Sequence, residues 1–271
     1  MAVEPIEIVL LRQWASYIAA PTWITDSEGR LLYYNESLEP IIGLRFEEAG
    51  ELPAEDLADR FAMTEVDGTP ISNHDRPLII ALTKQMPAHR RIGLRNSDQT
   101  MRELEVTAIP ILSTGDRHLG AMATIWDPNY QPDPKGHIAK LRRGQYPIEL
   151  ILTRHWVSYL AVPIWVTDLA GKLVYSNQLA EALTGARYEA GDFPAAVHAD
   201  LFKVCDLDGS PIPNEDMPLT IALTRRVASH RPLRFRGLDG TWRTIEVTAL
   251  PLLGQGERLL GSVAMFWEID P

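Results

Sequence analysis

Val66-Asp67-Gly68-Thr69-Pro70, with Pro77-Leu78 and Ala81-Leu82-Thr83 behind it, returns 141 residues later as Leu207-Asp208-Gly209-Ser210-Pro211, Pro218-Leu219 and Ala222-Leu223-Thr224. Asp-Gly spells a tight turn, because Asp bonds its own backbone and Gly takes a positive φ. The later proline suits the first turn of a helix. Working outward, the same shift lays His89-Arg90 on His230-Arg231, Glu105-Val106-Thr107-Ala108 on Glu246-Val247-Thr248-Ala249, and Trp126 on Trp267. Upstream the shift is 142, with Trp14 on Trp156, Trp23 on Trp165, Tyr33 on Tyr175, Asn35 on Asn177 and Gly43 on Gly185. A match along the whole unit with one single-residue gap is a duplication. Each copy, at about 125 residues, is long enough for its own core. The chain therefore divides into residues 1–127, a linker over 128–146 and residues 147–271. Pro128, Pro132 and Pro134 make the linker extended at first, and 138–143 read as a short helical connector.

Composition narrows the function. The 271 residues carry 26 Lys plus Arg against 36 Asp plus Glu, a formal charge of −10. That balance argues against a general nucleic-acid or anionic-membrane binder, which needs a basic surface, although a local basic patch stays compatible with it. The charge is uneven. Residues 1–127 hold 11 basic and 20 acidic side chains, residues 128–146 hold 4 and 1, and residues 147–271 hold 11 and 15. The single cysteine, Cys205, excludes an intrachain disulfide and a Cys-rich zinc site, and reads as a small buried hydrophobe. No apolar run approaches a membrane span, and the start lacks the positive charge of a signal peptide, so the expectation is a cytoplasmic protein with no membrane contact.

Each unit opens on an amphipathic helix, residues 4–20 and 147–162. The apolar stripe reads Ile6, Val9, Leu10, Trp14, Tyr17 and Ile18, repeated as Ile148, Ile151, Leu152, Trp156, Tyr159 and Leu160. A hairpin follows, Thr22 to Thr25 and Leu31 to Tyr34, turning at Asp26-Ser27-Glu28-Gly29. Asn35 and Asn177 sit where helices begin and are expected N-caps; Gly43 and Gly185 are the stops. The stretch from Glu47 to Met63 is acidic and irregular. Asn73 or Asp75 then caps the helix that carries Pro77. Three strands end the unit: His89 to Arg95, Arg102 to Leu112 and Leu119 to Trp126. This order predicts an α+β unit with a five-stranded antiparallel sheet and helices over one face. The last strands are apolar on both alternations, so the second face needs a cover as well, from the N-terminal helix or a partner.

Over nearly the whole of both copies this pattern resembles the PAS domain family. The resemblance rests on Asp26-Ser27-Glu28-Gly29, Tyr33-Tyr34-Asn35, Gly43, the Asp67-Gly68-Thr69-Pro70 turn with Pro77-Leu78, and Glu105-Val106-Thr107-Ala108-Ile109-Pro110 with Gly120 and Trp126-Asp127. It implies a sensor or interaction module that relays a signal through its sheet and flanking helices, dimerises through the N-terminal helix and sheet face, and sometimes encloses haem, flavin or a metabolite. The Asn-Cys-Arg-Phe motif of the light-sensing flavin relatives is absent, since Cys205 stands in Val204-Cys205-Asp206 and the first copy has Thr64 there. His74 opens the middle helix where haem-binding relatives place a ligand, but the second copy has Glu215. His89, His198 and His230 read as exposed or capped side chains. Asp67, Asp206 and Asp208 read as turn acids rather than calcium ligands. No phosphate-cradling loop, HExxH or GxSxG occurs, and no attached effector domain is visible.

The expected function is a non-enzymatic tandem sensor that self-associates and passes its signal to a separate protein. The interface candidates are Val9, Leu10, Trp14, Tyr17, Ile151, Leu152, Trp156 and Tyr159. The alternative is a small-ligand or cofactor sensor with a pocket between sheet and middle helix, its identity unspecified. The residues singled out for that pocket are Trp23, Tyr33, Leu78, Thr107, Thr124, Trp165, Tyr175, Leu219 and Thr248. The aromatic and leucine side chains would supply area and the threonines polar contacts.

Overall fold

The computed structural model describes residues 5–52, 63–95, 101–113, 115–130, 149–150, 153, 157–186, 201–254 and 257–269. They divide into two compact units, one of residues 1–130 with 159–161 and one of residues 131–158 with 162–271. The first unit runs α1 (Ile6–Ala15), β1 (Thr22–Asp26), β2 (Leu31–Tyr34), a 3-10 turn (Glu36–Leu38), α2 (Glu39–Ile42), α3 (Phe46–Ala49), a second 3-10 turn (Asn73–Asp75), α4 (Pro77–Thr83), β3 (Ala88–Arg95), β4 (Met101–Leu112) and β5 (His118–Trp126). Its sheet has the order β2-β1-β5-β4-β3, antiparallel throughout. After a 3-10 turn at Val157–Tyr159, the second unit runs β6 (Ile164–Asp168), β7 (Leu173–Ser176), α5 (Gln178–Thr184), a 3-10 turn (Asn214–Asp216), α6 (Pro218–Thr224), β8 (Ser229–Arg236), β9 (Trp242–Gly254) and β10 (Arg258–Glu268). Its order is β7-β6-β10-β9-β8. The α+β expectation, five antiparallel strands with helices, is the architecture of both.

Local chemistry explains the hairpins. Asp26 Oδ1 accepts from the amides of Glu28 at 3.0 Å and Arg30 at 2.9 Å, and Gly29 takes φ +85°. Asp168 repeats this with Ala170 and Lys172, both at 2.9 Å. The first strand then crosses to the last, where Gly120 lies so close that a Cβ would stand 1.9 Å from the Thr25 carbonyl oxygen; Gly261 meets Thr167 in the same way. On the helix side of the first sheet, Trp23, Leu31, Tyr34, Leu38, Ile42, Ala81, Ile92, Leu104, Val106 and Ile125 form one core. Ala81, wholly buried, lets α4 lie on β3, β4 and β5. On the other face Ile24, Ile109, Ile111 and Met122 are buried too.

Several expectations need correction. The first helix covers Ile6–Ala15 rather than 4–20, and its buried stripe is Ile8, Leu11, Trp14 and Ala15. Val9 is 43 % and Ile6 60 % exposed, and Leu10 is half-buried. Both registers are apolar at helical spacing in this sequence, and packing of α1 on β1 and β2 selects the second. Trp14 is core, and Tyr17 is half-buried with its hydroxyl 3.3 Å from Gln13 Nε2. In the second copy residues 149, 150 and 153 are helical, a 3-10 turn at Val157–Tyr159 holds half-buried Tyr159 where the expected helix would continue to 162, and Ile151, Leu152 and Trp156 lie outside the described residues. Asn35 caps nothing. It is buried, accepts from the Thr22 amide at 3.0 Å, and brings Nδ2 within 3.2 Å of the carbonyls of Ala15, Ile18 and Ala20. It thereby staples the end of α1 to β1. Asn177 is a true cap, accepting from Ala180 at 2.9 Å, and also holds Ile164 N and Val162 O. Neither Asn73 nor Asp75 caps α4; the residue at its N-cap is Arg76, without a side-chain bond. The connector at 138–143, the turns at 96–98 and 255–256, residues 53–62 and His198 lie outside the described residues.

Candidate functional site

The second unit holds a half-open cavity of about 70 Å³ between its sheet and α6. Strand alternation builds one wall. Leu233 and Phe235 of β8, Ile245 and Val247 of β9, and Ala264 and Phe266 of β10 point inward, two residues apart on each strand. Trp165 of β6 completes this wall, and Met217, Pro218, Leu219 and Thr220 at the start of α6 oppose it. The segment before the Asp-Gly turn supplies the edge. Cys205 and Arg234 exchange both backbone hydrogen bonds at 2.9 Å, and the Arg236 amide donates to the Phe202 carbonyl at 2.7 Å. Phe202 and Val204 thereby line the cavity. Arg231 bonds the Asp206 carboxylate at the start of that turn; with the Leu207 amide as first cause, this holds Asp206 below the usual carboxylate range.

Aromatic rings dominate the lining. Trp165 lies 5.1 Å from Phe266 and 5.8 Å from Phe202, and Phe202 stands edge-on to Phe235 at 6.1 Å. The polar lining residues are Thr184, Asn214 and Thr220. Thr184 Oγ1 already donates to the Ala180 carbonyl at 2.7 Å. No lining residue is titratable, so the wall offers no charge to pair with a charged group. Haem and flavin, which the fold family admits, do not fit these residues. The space is far below the roughly 300–1,000 Å³ of cofactor-sized sites, and no basic side chain lines it to meet a propionate or phosphate.

Of the residues singled out from sequence, Trp165 and Leu219 reach this cavity. Trp23 and Leu78 occupy the matching place in the first unit, as part of its core. Thr107, Thr124 and Thr248 are buried on the opposite sheet face, one residue out of phase with Val106, Ala123 and Val247. Thr107 and Thr248 stand 2.9 Å from Nδ1 of His89 and His230. Tyr33 and Tyr175 pair with Ile24 and Val166, on the face away from Trp23 and Trp165. Tyr33 stacks edge-on against Phe46 at 5.2 Å, and burial with nearby Glu36 and Glu47 pushes its phenol up to about 12. Burial also raises Glu105 and Glu246 on that face; Arg91 opposes the first at 3.1 Å, whereas the second faces Pro232 across the strands. Sequence reasoning missed Thr184, Phe202, Phe235 and Phe266. Choosing one alternation per strand, in phase with the residues packed on Ala222, would have found the last two.

The first unit carries different side chains at the same positions. Ile42, Ile79, Leu94 and Ile125 replace Thr184, Thr220, Phe235 and Phe266. Among the described residues no three His, Cys, Asp or Glu side chains gather as a metal site, and no helix is long and apolar enough to cross a membrane.

Comparison with known proteins bears on both units. No curated protein matches the chain. Among solved structures, the PAS domain of a protein from Colwellia psychrerythraea is 21 % identical over 44 % of this chain and 97 % of its own, with a TM-score of 0.33. The LOV domain of a blue-light-activated histidine kinase from Erythrobacter litoralis is 17 % identical over 41 % and 99 %, TM-score 0.33. An RNA-binding light-oxygen-voltage receptor is 15 % identical over 92 % of both chains, TM-score 0.34. A family model described as PAS fold matches residues 10–128 and one described as PAS domain matches 161–268. The chain belongs to the PAS family and carries two of its domains in tandem.

Proposed function

We propose that the chain is a non-catalytic cytoplasmic sensor whose second domain receives a small neutral molecule and whose signal passes to a separate protein. A signal-sensing role is what tandem PAS domains support. The observation that carries the finer reading is the aromatic-lined cavity, built from four strands and α6, with Thr184 and Thr220 on its wall where the first domain has the larger Ile42 and Ile79. Apolar cavities of roughly 150 Å³ stay dry and take up benzene or xenon. At about 70 Å³ this one admits a few heavy atoms as it stands. A ring-sized ligand requires Met217 or Leu219 to move, and Met adapts readily. A ligand shifts the conformation only by its differential affinity for the two states, so one that must widen the cavity is one that signals. For relay, α1 leaves Ile6 and Val9 exposed for a partner to cover, while its Trp14 side holds the sheet.

Native mass spectrometry of freshly purified protein, with xenon-pressurised NMR on the same sample, tests the reading. The expected result is a resident small-molecule mass, or xenon-induced shifts centred on Leu233, Val247 and Ala264. No bound mass together with no xenon response refutes it.

A further inference from the structure

The outer side of the β8–β9 hairpin carries a feature that the cavity does not use. Leu233 and Phe235 point inward, so Arg234 and Arg236 face outward on the same strand. Arg236 pairs with Trp242 across the strands, and the Arg234 guanidinium lies over the Trp242 ring at 5.4 Å. Trp242 is 45 % exposed and Leu238 in the adjoining turn 49 %. Arg236 Nε donates to the Gly240 carbonyl at 2.9 Å, which holds that cation at the hairpin tip. Among the described residues neither Arg234 nor Arg236 has a carboxylate partner, whereas Arg225, Arg231, Arg243 and Arg258 each do. The first domain differs at these places, with Gly93 for Arg234, Met101 for Trp242 and Glu103 for Thr244.

The first domain diverges in the complementary sense. Around α2 and α3 it presents Glu36, Glu39, Glu47, Glu48 and Glu51 about two exposed apolar side chains, Ile41 at 40 % and Leu44 at 42 %. Arg45 pairs with Glu48 and Arg12 of α1 stands 3.8 Å from Glu51, so among the described residues Glu36, Glu39 and Glu47 are the carboxylates of this edge without an ion pair. The second domain has Gln178, Leu183 and Ala186 where the first has Glu36, Ile41 and Leu44. One domain thus carries a cationic corner with an exposed Trp, and the other an acidic edge with exposed aliphatic side chains. Arg and Trp are the residues most enriched in interface hot spots, and opposite potentials bring such patches together and fix their register.

We propose that the Arg234–Arg236–Trp242 corner docks on the acidic α2–α3 edge of a second copy of this chain, forming a two-fold pair that uses the contact twice. A two-fold pair requires that each surface find its complement on the partner, which a chain carrying both supplies. This proposal stands apart from the ligand reading, because it uses the reverse side of the strands.

Sedimentation velocity on the full chain tests it, at ionic strengths where the Debye length falls from about 10 Å at 0.1 M to about 3 Å at 1 M. The expected result is a dimer whose dissociation constant weakens at least tenfold at high salt. Arg234→Glu with Arg236→Glu should weaken it at least as much at low salt. Adding Glu36→Arg and Glu47→Arg to the same chain should restore dimers, with the circular dichroism of every variant unchanged. A monomer at all salts overturns the proposal. So does a dimer indifferent to salt, a folded charge-swapped chain that stays monomeric, or a monomer whose corner takes up an oligonucleotide instead.

Discussion

Filling the second domain's cavity is the sharpest perturbation the structure offers, and Thr220→Ile does it with the first domain's own residue, Ile79. The side chain already stands at the lining, on the first turn of α6. Removing the whole void sets the upper bound: 70 Å³ at about 24 cal/mol per Å³ is about 1.7 kcal/mol. The substitution replaces a hydroxyl by a methylene and adds one methyl, and each buried CH₂ contributes about 0.8 kcal/mol. The expected gain is therefore about 1 kcal/mol, short of the bound because one methyl leaves part of the space open. The backbone bond from Thr224 Oγ1 to the residue 220 carbonyl, 2.7 Å, is untouched. Amide hydrogen exchange reads the gain where it arises: β9 and β10 amides should exchange about fivefold more slowly, measured against β4 and β5 amides in the same sample. The variant should also lose the xenon response. Faster exchange in β9 and β10 would mean that no usable space exists there, and would refute the reasoning from cavity to receiver.

The remaining predictions concern the frame. Asn35→Ala strands the Thr22 amide and the carbonyls grouped around Nδ2, so it should destabilise the first domain by about 3 kcal/mol, seen as faster exchange of β1 amides. Gly120→Ala forces a Cβ to within 1.9 Å of backbone and should cost several times the roughly 1 kcal/mol expected for Gly68→Ala, where nothing lies within 4 Å; comparison of the two denaturation midpoints checks this. Tyr33 should ionise near pH 12 rather than its ordinary value of about 10 in a spectrophotometric titration. Its folded pKa is the higher one, so its contribution to stability is complete below about pH 10 and is lost as the pH rises through 12.

Strand positions and turns were legible because their chemistry is local. Asp26 and Gly29 close their hairpin with bonds inside five residues, and each strand's alternation is written in its own side chains. The phase of α1 was not legible, because Ile6-Glu7-Ile8-Val9-Leu10-Leu11 offers two apolar registers and only contact with β1 and β2 chooses between them. Asn35 and Asn177 look identical in sequence, yet one staples a distant segment and the other caps a helix as well. The cavity was half legible. Thr107, Thr124 and Thr248 offer polarity, but the facing α4 and α6 select by phase, and the phase belongs to Val106 and Val247.

A pocket that transforms its ligand needs a group able to move a proton or attack a bond near the ligand's atoms. The rings, aliphatic chains, amide and hydroxyls that line this one include no titratable acid or base. Holding becomes a signal only through parts that cannot stay still when the space is filled. Leu233 and Phe235 are such parts, since β8 is an edge strand, bonded to β9 on one side and to the short Phe202–Cys205 segment on the other. Because side chains alternate along a strand, a shift of the β8 backbone that moves those two outward also moves Arg234 and Arg236 on its reverse. On the two proposals above, the cavity-lining residues and the docking arginines alternate along one strand, so a bound molecule that widens the cavity is expected to change the corner's shape first.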